Sequence, residues 1–261
     1  VKIFIPANQK GGVGKTNTAF NFTHYLAEEA NRVLGVDGDE QGNYSRAMSD
    51  YVQPGVGASQ LFGNVPIKLP DALGAITVIP ADREKLRAVE RAAMTDAQLV
   101  SNLRARLAEL APSFDYLVID SAGSNSRITN ALLFVSDFVL IPTKIDQDSI
   151  DVSVEVLKRV VSIKGSWNPS LVNLGILPNE YDSRQPAQVK SLKALLGKYP
   201  QFIFPAFIAD RSAYREASAA RTPVWRLKSD ADGRTKTSAR DAAIEMRAVF
   251  RMLLDRMEAQ P

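Results

Sequence analysis

Lys10-Gly11-Gly12-Val13-Gly14-Lys15-Thr16 is the stretch on which the rest of the chain depends. An apolar run, Lys2-Ile3-Phe4-Ile5-Pro6-Ala7, precedes it and reads as a buried strand. Asn17-Thr18-Ala19-Phe20-Asn21-Phe22 follows and opens a helix expected over residues 16–30. Strand, glycine-rich loop and helix together are the context in which such a loop binds phosphate. Three glycines allow the backbone to curl until its N–H groups face one anion, and the helix N-terminus adds its dipole. At this spacing Lys15 reaches terminal phosphates and the Thr16 hydroxyl faces a Mg²⁺ ion. Gly11, Gly12, Val13, Gly14 and Asn17 complete the nucleotide-binding set.

The general pattern has glycine where this chain has Lys10. With that early lysine the loop resembles the deviant Walker A motif of the ParA/MinD superfamily. The resemblance implies that Lys10 crosses a dimer interface to touch the partner's nucleotide, so that ATP closes a homodimer. It also implies a P-loop NTPase fold: α/β, a doubly wound and mostly parallel sheet with helices on both faces. Catalytic roles then fall to Lys10, Lys15 and Asp39. Asn17 departs from the family's frequent threonine without loss of chemistry.

Arg32-Val33-Leu34-Gly35-Val36-Asp37 reads as the second parallel strand, running into Gly38-Asp39-Glu40-Gln41-Gly42-Asn43. Carboxylates just past a strand's C-terminal end lie where open α/β sheets bind ligands. The segment resembles the family's first switch, D-x-D-P-Q-G-N. By that match Asp39 positions or deprotonates the attacking water, Asp37 supports Mg²⁺ and Gln41 belongs to the switch. Glu40 replaces the family's proline, which predicts a less rigid loop.

Phe114-Asp115-Tyr116-Leu117-Val118-Ile119-Asp120 is a buried strand ending in an acid, the Walker B pattern, with Asp120 near the Mg²⁺ shell. Ser121 and Gly123 begin a second switch spanning residues 121–126. Thr143-Lys144-Ile145-Asp146 looks like a guanine-reading T-K-x-D motif, but comes one strand too early for that role. The strand at residues 171–177 leads into Pro178-Asn179-Glu180-Tyr181-Asp182, and the resemblance makes Asn179 the base reader, with adenine favoured. Arg184, Arg211, Arg215 and Arg221 are the expected DNA-phosphate contacts, read without base specificity.

The remaining pattern predicts short helices over residues 44–62 and a strand at 76–80. A helix is expected over 83–110, broken near Thr95-Asp96, and another over 148–161. Residues 202–205 read as the last strand, 228–236 as a flexible connection, and 237–257 as a closing helix whose apolar stripe packs on the sheet. His24 is the only histidine and sits in the first helix, where a structural role is expected.

The chain has 261 residues, 45% of them hydrophobic and 23% charged, which predicts one domain over 1–261. It has no Cys, which excludes disulfides, thiolate metal sites and iron–sulfur clusters, and with them the cluster-bearing relatives of the superfamily. No apolar run approaches the roughly 18 residues of a membrane span. No leader or preceding helix-turn-helix domain is expected. Net charge is +3, but residues 184–261 carry 15 Lys and Arg against 8 Asp and Glu, which points to a polyanion partner.

The expected function is a weak, partner-stimulated Mg-ATPase that binds DNA nonspecifically and partitions a plasmid or similar cargo. Its partner would be a separate ParB-like, centromere-binding protein, and its place the cytoplasm, on the nucleoid and off the membrane. Two alternatives stand beside it: a MinD-like membrane-cycling ATPase, and an ATP-binding scaffold for a DNA-processing or conjugation complex.

Overall fold

In a computed structural model of the chain, residues 1–70, 72–227 and 237–260 are described. Six parallel strands form one sheet in the order β3-β2-β4-β1-β5-β6. They are β1 (Lys2–Pro6), β2 (Val33–Asp37), β3 (Ile76–Ile79), β4 (Tyr116–Asp120), β5 (Phe138–Lys144) and β6 (Val172–Asn179). The central strands are mostly apolar because both sheet faces are covered, with the acids Asp37 and Asp120 only at their C-terminal ends. β1 lies between β4 and β5, pairing Lys2 with Tyr116 and Phe4 with Phe138. In the β2–β4 ladder, Asp37 stands directly opposite Asp120.

The helices divide between the two faces. On one side α1 (Lys15–Glu28), α8 (Ser212–Ala219) and α9 (Thr237–Glu258) bury Phe22, Tyr25, Ala213, Met246 and Phe250 against the sheet. α2 (Asn43–Ala47) joins them through Tyr44. On the other side lie α3 (Arg83–Arg91), α4 (Asp96–Leu110), α5 (Arg127–Val135), α6 (Gln147–Ser166) and α7 (Pro186–Lys198), contributing Leu86, Leu103, Leu132, Val160 and Leu195. The doubly wound architecture implied by the resemblance is the one observed.

Local signals account for most boundaries. The α3–α4 break falls at residues 92–95, where Thr95 caps α4: its Oγ1 accepts from Gln98 N, and Gln98 Oε1 accepts from Thr95 N. The expected helix at 148–161 is longer, starting at Gln147 under an Asp146 cap and ending at Ser166. The expected strand at 202–205 does not form. Pro200–Phe202 makes a 3-10 turn, and only an isolated bridge from Ile203 to Ile176 follows. Pro200 and Pro205 bracket this segment, and neither has an N–H for a ladder. Residues 228–236 lie outside the described residues. The apolar side of α9 is buried, as expected: Phe250, Leu253 and Met257 are fully covered. No helix among the described residues is long and apolar enough to cross a membrane.

Candidate functional site: a nucleotide cleft at the strand C-termini

β1 delivers the glycine loop to the carboxyl edge of the sheet, where β2 and β4 also end. Gly12 and Gly14 have φ of 70° and 102°, the left-handed region that the curled loop requires. At Gly14 a Cβ would also stand 2.3 Å from Asn179 Nδ2, so backbone conformation and space both demand glycine there. α1 begins at once with Lys15, whose Nζ donates to the Lys10 carbonyl at 3.1 Å. Asn8 braces the loop from the β1 side: its Oδ1 accepts from Lys10 N, and its Nδ2 donates to Pro142 O at 2.8 Å.

The two strand-end acids differ in their surroundings. Thr16 Oγ1 donates to Asp120 Oδ2 at 2.7 Å, while Asp120 Oδ1 is buried without a hydrogen-bond partner. Burial, and the neighbouring Asp37 carboxylate, raise the Asp120 carboxyl well above its ordinary range. Asp37 is also buried and pushed up to about 6 by desolvation, against three hydrogen bonds that favour its charged form. Its Oδ2 accepts from Ser45 N at 2.7 Å and Ser45 Oγ at 2.6 Å, and its Oδ1 from Asp39 N at 3.1 Å. Burial lowers the Lys15 amine, while Asp120 and Asp39 pull in the opposite direction. Two crowded acids beside a buried ammonium form an electrostatically unsatisfied set, in which a cation and a polyphosphate would complete the charge pattern.

Asp39 is half-exposed at the mouth of this set, its Oδ1 accepting from Gln41 N at 2.9 Å. Gly123 comes so close to the loop that a Cβ would lie 3.1 Å from Lys15 Nζ. Ser121 is buried beside it. A cavity of about 480 Å³ runs from Gly12, Lys15 and Thr16 out to Arg46 and Arg221. Beside it, a second of about 440 Å³ is lined by Asn17, Asn179, Arg211, Tyr214 and Arg215. Asn179 is buried and donates from Nδ2 to Val13 O at 2.9 Å, tying β6 to the glycine loop.

Several partners were not legible in sequence. Lys10 Nζ meets Asp146 Oδ1 at 3.0 Å, and the same carboxylate caps α6 through Ser149. The lookalike T-K-x-D motif is thus spent on a helix cap and an ion pair. Glu40, expected to loosen its loop, is gripped by Arg87, whose Nε and Nη2 donate to its two oxygens at 2.7 and 3.1 Å. Asn8, a polar residue at the end of an apolar strand, was the one sequence signal among these.

Of the four arginines expected at DNA, Arg221 lines the first cavity and Arg211 and Arg215 the second, while Arg184 lines neither. Arg184 forks onto Asp182 at 2.9 and 3.1 Å, and Arg215 pairs with Asp210 at 2.7 Å. Arg211 faces Glu245 and Asp241, and Arg221 lines the larger cavity. Nearby acids therefore offset the charge of Arg184, Arg211 and Arg215.

The AAA domain family matches residues 1–173. IncC from Escherichia coli is 34% identical over 263 residues, covering 99% of this chain and 70% of that protein. The chain belongs to the ParA/MinD-type ATPases. The chromosome partitioning protein ParA of Caulobacter vibrioides is 28% identical over 237 residues, with 86% of each chain covered. Among solved structures, the ATP complex of a Cyanothece McdA variant superposes with a TM-score of 0.78 at 21% identity, covering 97% of this chain and 96% of its own. Cobyrinic acid a,c-diamide synthase from Mycobacterium smegmatis with ADP and magnesium gives 0.74 at 26% identity, covering 100% and 97%.

Proposed function

We propose that this chain is a Mg-ATP-dependent ATPase that closes into a homodimer, binds DNA without reading its sequence, and partitions a plasmid or similar DNA cargo. The cycle runs in the cytoplasm on the nucleoid, with a separate ParB-like, centromere-binding protein stimulating a slow intrinsic turnover. The observation that carries this reading is the union of the left-handed glycine loop with the Thr16–Asp120 contact at the ends of β1 and β4.

The donor set suits magnesium. Thr16 and Asp120 offer hard oxygens, and Asp120 Oδ1 lacks any partner. Among the described residues no cluster of three or more acidic or imidazole groups forms a cage, and Mg²⁺ beside phosphates needs only one or two protein ligands. Thr16 and Asp120 would hold the ion, with Asp37 supporting it, and bound Mg²⁺ would offset the phosphate charge. Loop N–H groups and Lys15 bind the β- and γ-phosphates. Asp39 orients the attacking water at the rim. Ser121 and Gly123 sense the γ-phosphate, since Gly123 already approaches Lys15. Asn179 and Asn17 line the second cavity, where Asn179 would read the base. Lys10 leaves Asp146 for the partner's nucleotide when the dimer closes. Catalysis here is positioning and charge stabilisation rather than covalent chemistry.

Arg184, Arg211, Arg215 and Arg221 provide the DNA-phosphate contacts, exchanging their carboxylate partners for phosphates. Burial of the apolar side of α9 supports this reading over membrane cycling through that helix. The test is binding to random-sequence duplex DNA with ATP, ADP, GTP or no nucleotide, at two salt concentrations. Binding only with ATP, weakening steeply with salt, is the expected result. An absence of DNA binding under every nucleotide would remove the central step.

A further inference from the structure

The first switch loop ends beside α3, and the second runs into α5. Between them is a cavity of about 110 Å³, bordered by Gly38 and Glu40 on one side and Ala122, Ser124 and Ser126 on the other. At its base Gly38 N donates to Asp120 O at 2.8 Å; farther out, α3 touches both loops with polar side chains one turn apart.

Arg87 holds Glu40 through a two-pronged ion pair, the residue after Asp39. Three residues later, the Glu90 carboxylate accepts from Arg127 N at 3.1 Å and Ile128 N at 2.9 Å. Those are the first N–H groups of α5, which have no carbonyl partner within the helix. The tie is reciprocal. The Arg127 guanidinium donates to the carbonyls of Glu90, Ala92 and Met94, closing the C-terminal end of α3 and the turn after it. α3 is itself fixed. Leu86 is its one buried residue and points into the core, and Asp82 at its start accepts from Ser59 N. Ser45 Oγ, which donates to Asp37, accepts from Ala81 N just before it.

We propose that Arg87 and Glu90 are positioning residues for hydrolysis: α3 is a strut that sets the Asp39 loop and the 121–126 loop at a fixed spacing. Neither side chain contacts the nucleotide cleft; each acts through a loop that borders it. For Arg87, stability is not the main contribution, because a half-exposed ion pair is worth little and the side chains of Arg87 and Glu40 are 35% exposed each. A forked Arg–carboxylate contact fixes direction, which a lysine cannot reproduce. In this chain the Arg87–Glu40 pair supplies the loop stiffness that a proline gives elsewhere. The inference rests on the proposed role of Asp39.

The test uses the full chain and two readouts. Hydrogen exchange without nucleotide reads the loops directly: Arg87→Ala should speed exchange at residues 39–42 several-fold, and Glu90→Ala should do the same at 127–128. ATP turnover reads the consequence. Arg87→Ala and Glu40→Ala should each lower kcat at least fivefold with KM changed less than twofold, and the double variant should lose no more than either single. Arg87→Lys should recover only part of the loss, and the exchanged pair Glu40→Arg with Arg87→Glu should recover most of it. Unchanged exchange in both variants, or independent additive losses in the double, overturns the strut. A wild-type chain without turnover, or an Asp39→Asn variant with full turnover, sinks the assignment of Asp39 instead and leaves the exchange result to decide the strut.

Discussion

Gly14 shows how much of the site rests on single atoms. With φ at 102° and Asn179 Nδ2 where a Cβ would sit, Gly14→Ala must either displace Asn179 or flatten the loop. Either change turns the loop N–H groups away from the phosphates. Nucleotide affinity measured by calorimetry should fall at least about 100-fold, near 3 kcal/mol. His24 makes a different kind of prediction. Burial, reinforced by Arg226, holds its imidazole down at about 4, and Phe20 and Tyr51 pack edge-on against the ring. The unfolded chain takes up a proton near pH 6.5 that the folded chain refuses until about 4. His24 therefore contributes stability that is fully present above the unfolded value and lost as pH falls through that window, in all about 3 kcal/mol. Denaturant midpoints of the nucleotide-free chain between pH 7 and 4.5 should slope less in His24→Phe than in wild type; equal slopes would refute the assignment. At this scale the glycine loop and Asp120 could be placed at strand ends because each directly follows an apolar run, whereas the role expected of Asp39 came from the resemblance alone. Asp146 under Lys10 and Arg87 under Glu40 were not legible, since 136 and 47 residues separate the partners.

Elements were legible where a local signal set them. The expected break before α4 falls where Thr95 and Gln98 form a reciprocal capping box in the structure, and its removal has a defined cost. Thr95→Ala should destabilise the chain by about 1 kcal/mol in urea unfolding, leaving nucleotide binding unchanged. α9 was read from its stripe of apolar residues, and the stripe has a stronger consequence. Phe250 is fully buried with its ring 5.2 Å from that of Phe22 and 5.7 Å from that of Tyr25, both on the helix that opens with Lys15. Phe250→Ala should cost about 3–5 kcal/mol and weaken the docking of α1 that places the glycine loop. Residues 202–205 misled for a physical reason. Their apolar side chains suit a strand, but Pro200 and Pro205 at its two ends offer no N–H to a ladder, and only Ile203 bridges to β6.

At the scale of the whole molecule, the doubly wound sheet was implied by the resemblance carried on the glycine loop, while the relation between two copies of the chain lies beyond any single fold. Lys10 provides the check. Sedimentation of Lys10→Ala with ATP should show a monomer where wild type forms a dimer, with nucleotide affinity reduced less than about tenfold, because Lys15 and the loop N–H groups remain. A dimer of wild-type strength would remove Lys10 from the interface. The sheet order has a consequence of another kind, in time. β1 occupies the second to sixth residues, yet its neighbours in the sheet are β4 and β5, which end at Asp120 and Lys144. During synthesis the phosphate loop leaves the ribosome among the first segments of this sequence and waits for more than a hundred residues before either flanking strand exists. Long-range parallel pairing is the slow step in such folds. The nascent chain therefore carries its most recognisable motif long before it can use it, and nucleotide binding should first appear in stalled chains that expose β5, not in those that expose the loop alone.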